Sequence, residues 1–331
     1  MGDWRAQLRF DPLEPLLVSN DTALRYRARC ELLDEQAGPA LDVSGLPGVQ
    51  RILKRQLADG SWPRSGEHKH AAINYNLVET WRQFRFLVEQ YGLSREHPQV
   101  RQAAEYLFSC QTPEGDIRGM LADQYATYYT GAIMAVLEEA GCVDDPRIDR
   151  GFSWLLSMRQ DDGGWTIPLI THKLDRATQY RLTSEHDEPL EPDRSKPFSH
   201  NWTGMVLRAF AAHPERRHSD AAMIAASLLK SRFFRPDSYS SYRAASYWVR
   251  FEYPFWWNNL VSALDSLSLM GLSKEDPQIR EGLIWLTGHQ QENGLWRVSY
   301  VRAQERETAR ILAMQRWVSF AVCRIFKRLY G

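Results

Sequence analysis

Five short stretches hold residues whose types and spacing could do chemistry. "RQDDGGW" (159–165) and "DDPRID" (144–149) set aspartates side by side, as a divalent cation or a shared proton would require. "GEHKHAA" (66–72) places His68 and His70 two apart in a polar stretch, where a metal would need a third ligand. "EHDE" (185–188) lies in a charged run, and "SHNW" (199–202) puts His200 beside a possible helix cap. Which of these are chemistry and which are architecture depends on the elements that carry them.

Self-similarity along the chain settles two of the five. "GLSREHPQVRQAAEYLFSCQTPEGDI" from Gly92, "GCVDDPRIDRGFSWLLSMRQDDGGW" from Gly141 and "GLSKEDPQIREGLIWLTGHQQENGLW" from Gly271 align. Each opens on glycine, has a proline five or six residues on (Pro98, Pro146, Pro277) and a leucine nine further (Leu107, Leu155, Leu286), and closes on a Gln-Gly turn. "QLADGSW" (56–62) repeats the closing turn, and a degenerate copy starts near Ser219. Glycine ends one helix, a residue before proline caps the next, and proline suits its first turn. Val100, Ala103, Ala104 and Leu107 then recur at helical spacing. Asp161 and Asp162 fall where sister copies have alanine, proline or asparagine, so the pair reads as a turn. Asp145 falls where His97 and Asp276 stand, so "DDPRID" reads as a helix start.

Between the repeats lie more apolar helices, among them "NYNLVETWRQFRFLVEQYG", "ATYYTGAIMAVLEEAG", "SHNWTGMVLRAFAAH", "WWNNLVSALDSLSLMG" and "ILAMQRWVSFAVCRIF". The composition, 44% hydrophobic and 12% aromatic over 331 residues, permits a large core. Lysine plus arginine equals aspartate plus glutamate, at 41 each, so nothing points to nucleic acid as partner. Four scattered cysteines, no long uncharged apolar run and no signal-type N-terminus predict a reduced, cytoplasmic protein without a transmembrane segment. The basic, apolar C-terminus "WVSFAVCRIFKRLYG" leaves room for peripheral membrane contact, although a last helix accounts for it.

Helix pairs joined by "QLADGSW", "QDDGGW" and "QQENGLW" turns resemble the α/α toroids of squalene cyclases and protein prenyltransferases, over roughly residues 45–330. The resemblance implies an all-α fold of about five to six helix pairs in inner and outer rings. It implies a toroid domain at 45–331 preceded by a segment, 1–44, with one helix that packs on or closes it. The family's chemistry is not carried by matching strings. There is no Asp-x-Asp-Asp acid motif, none of the four cysteines shows a zinc-holding pattern, and "GCVDD" is not a thioester sequence. No cofactor is identified and no metal site is assigned.

In such a toroid the long outer-to-inner loops share one end, and the longest, Thr166 to Ser199, could act as a lid. Residues opening the inner helices would ring the mouth. Asp123, His70 and His200 are then the candidate general acids. Tyr75, Tyr128, Trp202, Trp256 and Trp257 would offer aromatic faces to the ligand, with Arg250 as a cationic group and Arg243, Arg302 and Arg306 as further ones. The expected ligand is a small apolar, isoprenoid-like molecule, and the expected activity a terpenoid cyclase or transferase. Two rivals stand beside it: a non-catalytic binding protein on the same scaffold, and a carbohydrate-active α/α barrel using two of Asp123, Glu185, Asp187 and Glu252.

Overall fold

The computed structural model describes residues 2–35, 42–239, 243–299 and 308–331. Its α-helices run in order α1 (Leu13–Leu17), α2 (Thr22–Leu33), α3 (Pro47–Leu53), α4 (Tyr75–Arg85), α5 (Pro98–Ser109), α6 (Thr127–Leu137) and α7 (Pro146–Ser157), then α8 (Arg176–Leu182), α9 (His200–Ala212), α10 (Asp220–Lys230), α11 (Leu260–Leu269), α12 (Pro277–Gly288) and α13 (Ala309–Tyr330). One extended stretch, β1 (Met120–Asp123), precedes α6. The class is all-α, with the alternating helices of an α/α fold. Two compact units form. The middle unit is Val43–Leu228 with Asp237–Ser241; the terminal unit is Met1–Asp42, Leu229–Pro236 and Tyr242–Gly331.

The two kinds of helix differ in how much of their circumference is covered. In α5, burial falls on Val100, Ala103, Ala104, Leu107 and Phe108, a single stripe. In α6 every residue from Thr127 to Leu137 except Tyr129 is buried, and α9 is covered on nearly all sides. These two helices pack so closely that a methyl group on Gly131 would sit 2.6 Å from the Val206 Cα. The helix starts follow the expected chemistry. Proline opens α3, α5, α7 and α12, while Asp145 and Asp276 accept backbone N–H groups of the first turn. His97 stands at the same place before α5 and makes no side-chain cap.

The closing turns share one hydrogen-bond plan. In the first, the Gln56 amide donates to the Gly60 carbonyl at 2.9 Å and to Gln99 O at 2.8 Å, in the start of the next repeat's helix. Trp62 Nε1 donates back to Ile52 O, and Trp62 N to the Thr80 hydroxyl on the helix that follows. Gln111 repeats this with Gly115 and Arg147, and Ile117 N finds Thr130. In the third turn Gln160 donates to Asp193 O and Lys196 O, at the end of the long 166–199 segment, while Trp165 N reaches Thr203. The last turn lies in the terminal unit, where Gln290 donates to Gly294 O and to Phe10 O, and Trp296 N to Ser319. Asp162 sits in this plan as a turn former: one oxygen accepts from Gly164 N and the other from Phe198 N, beside Gly163 at φ +98°.

Candidate functional site

The middle unit brings four aromatic rings of three largely buried helices, α4, α6 and α9, into one run. Trp81 of α4 meets Tyr129 of α6 edge-on at 5.4 Å between centroids. Tyr129 lies 4.2 Å from Tyr128, and Tyr128 lies 4.4 Å from Trp202 on α9. The Arg85 guanidinium stands over Trp81 at 4.5 Å, at the far end of the run. Trp81, Tyr128 and Trp202 are buried and Tyr129 is half-buried, which makes Tyr129 the most accessible rung. Helical geometry explains the assembly: Tyr128 and Trp202 both occupy the first turn of helices that pack along their length, so their rings meet across the α6–α9 contact. Sequence spacing does not single out Tyr129, which stands next to Tyr128 rather than at helical spacing from it.

His200 opens α9 two residues before Trp202. Its Nδ1 lies 3.3 Å from an Asp237 carboxylate oxygen, and the pair is sealed from solvent. The same oxygen accepts the Ser199 hydroxyl at 2.8 Å and the Asn201 N–H at 3.1 Å, and the other oxygen accepts Tyr239 N at 3.0 Å. Three donors converge on this buried carboxylate and hold it in place beside the imidazole. Nothing local in "RPDSYS" marks Asp237 for His200, because Ser199, His200 and Asn201 are more than thirty residues away in the chain.

Asp123 and His70 sit in different surroundings. Asp123 accepts the His186 ring nitrogen at 2.9 Å and the Asp187 N–H at 3.2 Å, so it ties down the 166–199 segment. Gln124 adds hydrogen bonds to the Glu188 carbonyl and from Leu190 N. Tyr125 donates to Glu114 at 2.9 Å, and burial with that carboxylate pushes its phenol well above the usual range. Asp187 in turn pairs with Arg181. The His70 N–H donates to the Tyr75 hydroxyl, and its ring meets Tyr180 of α8 edge-on at 5.6 Å. Tyr75 carries the His68 ring at 4.7 Å and the Arg64 guanidinium at 4.9 Å. The long segment therefore touches two of the three candidate acids through His186 and Tyr180, and ends immediately before the third.

Trp256, Trp257 and Arg250 belong to the terminal unit. Both tryptophan N–H groups of the backbone donate to one Glu252 carboxylate oxygen, and the two indoles meet edge-on at 6.2 Å. Arg250 lies over the Tyr247 ring at 4.0 Å, and Arg243 is exposed. Arg302 and Arg306 lie outside the described residues. Among the described residues no cluster of three His, Cys, Asp or Glu side chains forms a metal site, and no helix is long and apolar enough to cross a membrane.

The squalene-hopene cyclase C-terminal domain family matches residues 69–179, a span that includes His70, Tyr75, Asp123, Tyr128 and Tyr129. The likeness is to the squalene-hopene cyclases. A squalene-hopene cyclase of Bradyrhizobium diazoefficiens is 27% identical over 151 residues, covering 42% of this chain and 22% of that one. The chain thus matches about a fifth of the length of that curated relative. Among solved structures, type II terpene cyclase MstE from Scytonema, in complex with geranylgeranyl dihydroxybenzoate, aligns at TM-score 0.46 and 13% identity, covering 96% of this chain and 99% of that one. A protein from Actinoplanes aligns at TM-score 0.43 and 15% identity, over 86% of each chain.

Proposed function

We propose that this squalene-hopene cyclase-like protein binds an apolar, isoprenoid-like molecule against the Trp81–Tyr129–Tyr128–Trp202 run and acts on it as a terpenoid cyclase. The observation that carries this reading is that His200, buried beside Asp237, shares the first turn of α9 with Trp202. Asp237 lies on the Nδ1 side of the imidazole, so Nε2 would be the nitrogen to deliver a proton. Proton transfer to an alkene carbon uses the π pair to form a C–H bond and leaves a tertiary cation. Ring faces nearby stabilise that cation by about 0.5–2 kcal/mol each. Loss of a proton to a base, or capture of water, completes the reaction. Asp123 and His70, which touch the middle of the 166–199 segment through His186 and Tyr180, would act in closing the site rather than in the proton transfer.

The test is a thermal-shift and product screen with squalene-like hydrocarbons, prenyl diphosphates and oligosaccharides. A ligand at 100 times its Kd adds about 2.7 kcal/mol of stability. Isoprenoids alone are expected to shift the melting point, and Trp202→Ala with Tyr129→Ala to abolish the shift. Cyclic product from the wild type and none from His200→Asn or Asp237→Asn supports catalysis. Retained binding with no product from any variant or the wild type reduces the reading to a binding protein, and a shift with sugars only overturns it.

A further inference from the structure

The terminal unit contains a cleft of about 820 Å³ that the proposed reaction does not use. That volume is in the range of small-molecule sites. Its wall is a column of rings: Trp285 of α12 stacks on His289 at 3.8 Å and 12° between planes, and Phe251 meets Trp285 edge-on at 5.8 Å. Phe251 is buried, whereas His289 is exposed, so the imidazole presents the outer flat face. The His289 Nδ1 lies 2.8 Å from the Trp285 carbonyl, which makes Nδ1 the protonated nitrogen and orients the ring.

Two guanidiniums line the same cleft, and neither forms an ion pair among the described residues. Each is nevertheless held in place. Arg9 donates to the Gly288 carbonyl at 3.4 Å, and its backbone N–H is fixed by Gln290 at 3.0 Å. Arg297 donates through Nε to Gln291 Oε1 at 3.2 Å. A guanidinium has five N–H donors, so both keep a free fork edge suited to an oxyanion. Among the described residues Glu292 is the one acid in the lining, against the two guanidiniums.

We propose that this cleft binds a small ligand made of a flat apolar group and an oxyanion, the ring lying on His289 and the oxyanion between Arg9 and Arg297. The shared chemistry is a phosphate or carboxylate on a planar group, and the two are separated by experiment. Calorimetric titrations of the intact protein would use 1-naphthyl phosphate, 1-naphthoate, 1-naphthalenemethanol and inorganic phosphate. The expected result is binding of one or both naphthyl anions, at least about tenfold tighter than either the neutral alcohol or inorganic phosphate. Arg9→Gln and Arg297→Gln, both at exposed positions, should each weaken that binding about tenfold with an unchanged melting point. His289→Ala should weaken the naphthyl anions and leave any inorganic phosphate binding unaltered. Tighter binding of the phosphate or of the carboxylate identifies the anion. Equal affinity for the alcohol, affinity untouched by either arginine substitution, or no binding of any naphthyl anion in the millimolar range overturns the proposal. The cleft and the aromatic run are read out with different ligands and variants, so neither result depends on the other.

Discussion

Burying an ionisable group without a partner is costly, and Glu138 shows the consequence at the scale of one residue. It follows α6 in a π-turn, is 6% exposed, and neither carboxylate oxygen has a hydrogen-bond partner among the described residues. Burial, reinforced by Glu139 and opposed by Arg216 and Arg217, raises its carboxyl well above the ordinary 4.5. The folded state therefore holds a proton that the unfolded chain releases. Stability is full below about pH 4.5 and falls as pH rises toward the folded-state value. Glu138→Met removes that slope. It is expected to raise stability at pH 7 by about 1–3 kcal/mol and to leave it nearly unchanged at pH 4, as read by denaturant melts at both values. A melting difference independent of pH would show that Glu138 finds a partner. Asp237 is the opposite case, a buried carboxyl group with both oxygens hydrogen-bonded, and the predicted loss of product in the His200 and Asp237 Asn variants belongs to this scale as well.

At the scale of the element, the closing turn is the unit that holds neighbouring helix pairs together. Gln111 joins its own turn to the start of α7, and Gly115, at φ +118°, has no room for a side chain, since a Cβ would lie 2.4 Å from the Arg150 carbonyl. Gln111→Ala should cost about 1–3 kcal/mol by leaving two carbonyls without their donor. Gly115→Ala should cost more than about 2 kcal/mol through strain and overlap together. Both are measured by chemical denaturation, and a neutral Gly115→Ala would mean the turn can shift away from α7. These turns were legible in sequence because their signal is local: a glutamine, a glycine and an aromatic at fixed offsets. The hydroxyls that complete them, Thr80, Thr130, Thr203 and Ser319, were not read, since each lies 13 to 38 residues beyond its partner.

At the scale of the whole chain, the N-terminal residues do for the last turn what a following repeat does for the earlier ones. Gln290 donates to Phe10 O as Gln111 donates to Arg147 O, and Gly294 packs with no space for a Cβ against the Asp11 carbonyl. Trp317 of α13 also donates to Asp21 at 2.9 Å. Removing residues 1–12 should therefore lower the melting temperature by about 5–10 °C, the shift expected for roughly 2–3 kcal/mol in a domain of this size. An unchanged melting temperature would show that the Phe10 and Asp11 contacts add nothing to the stability of the terminal unit.

By itself the sequence determined the all-α class, the prolines at helix starts, the turns at Asp162 and Asn293, and which helices would be covered all round. Those features follow from backbone sterics and periodicity, which act over a few residues. Tertiary structure alone decided that Tyr129 joins Tyr128 and Trp202, that Asp237 faces His200, and that Asp123 is spent on His186. It also decided that Arg9 shares a cleft with Trp285, His289 and Arg297. Contacts of this kind join residues that are adjacent or far apart in the chain without any fixed offset. They arise when buried helices choose their packing partners, a choice made by the shapes of whole faces rather than by any motif.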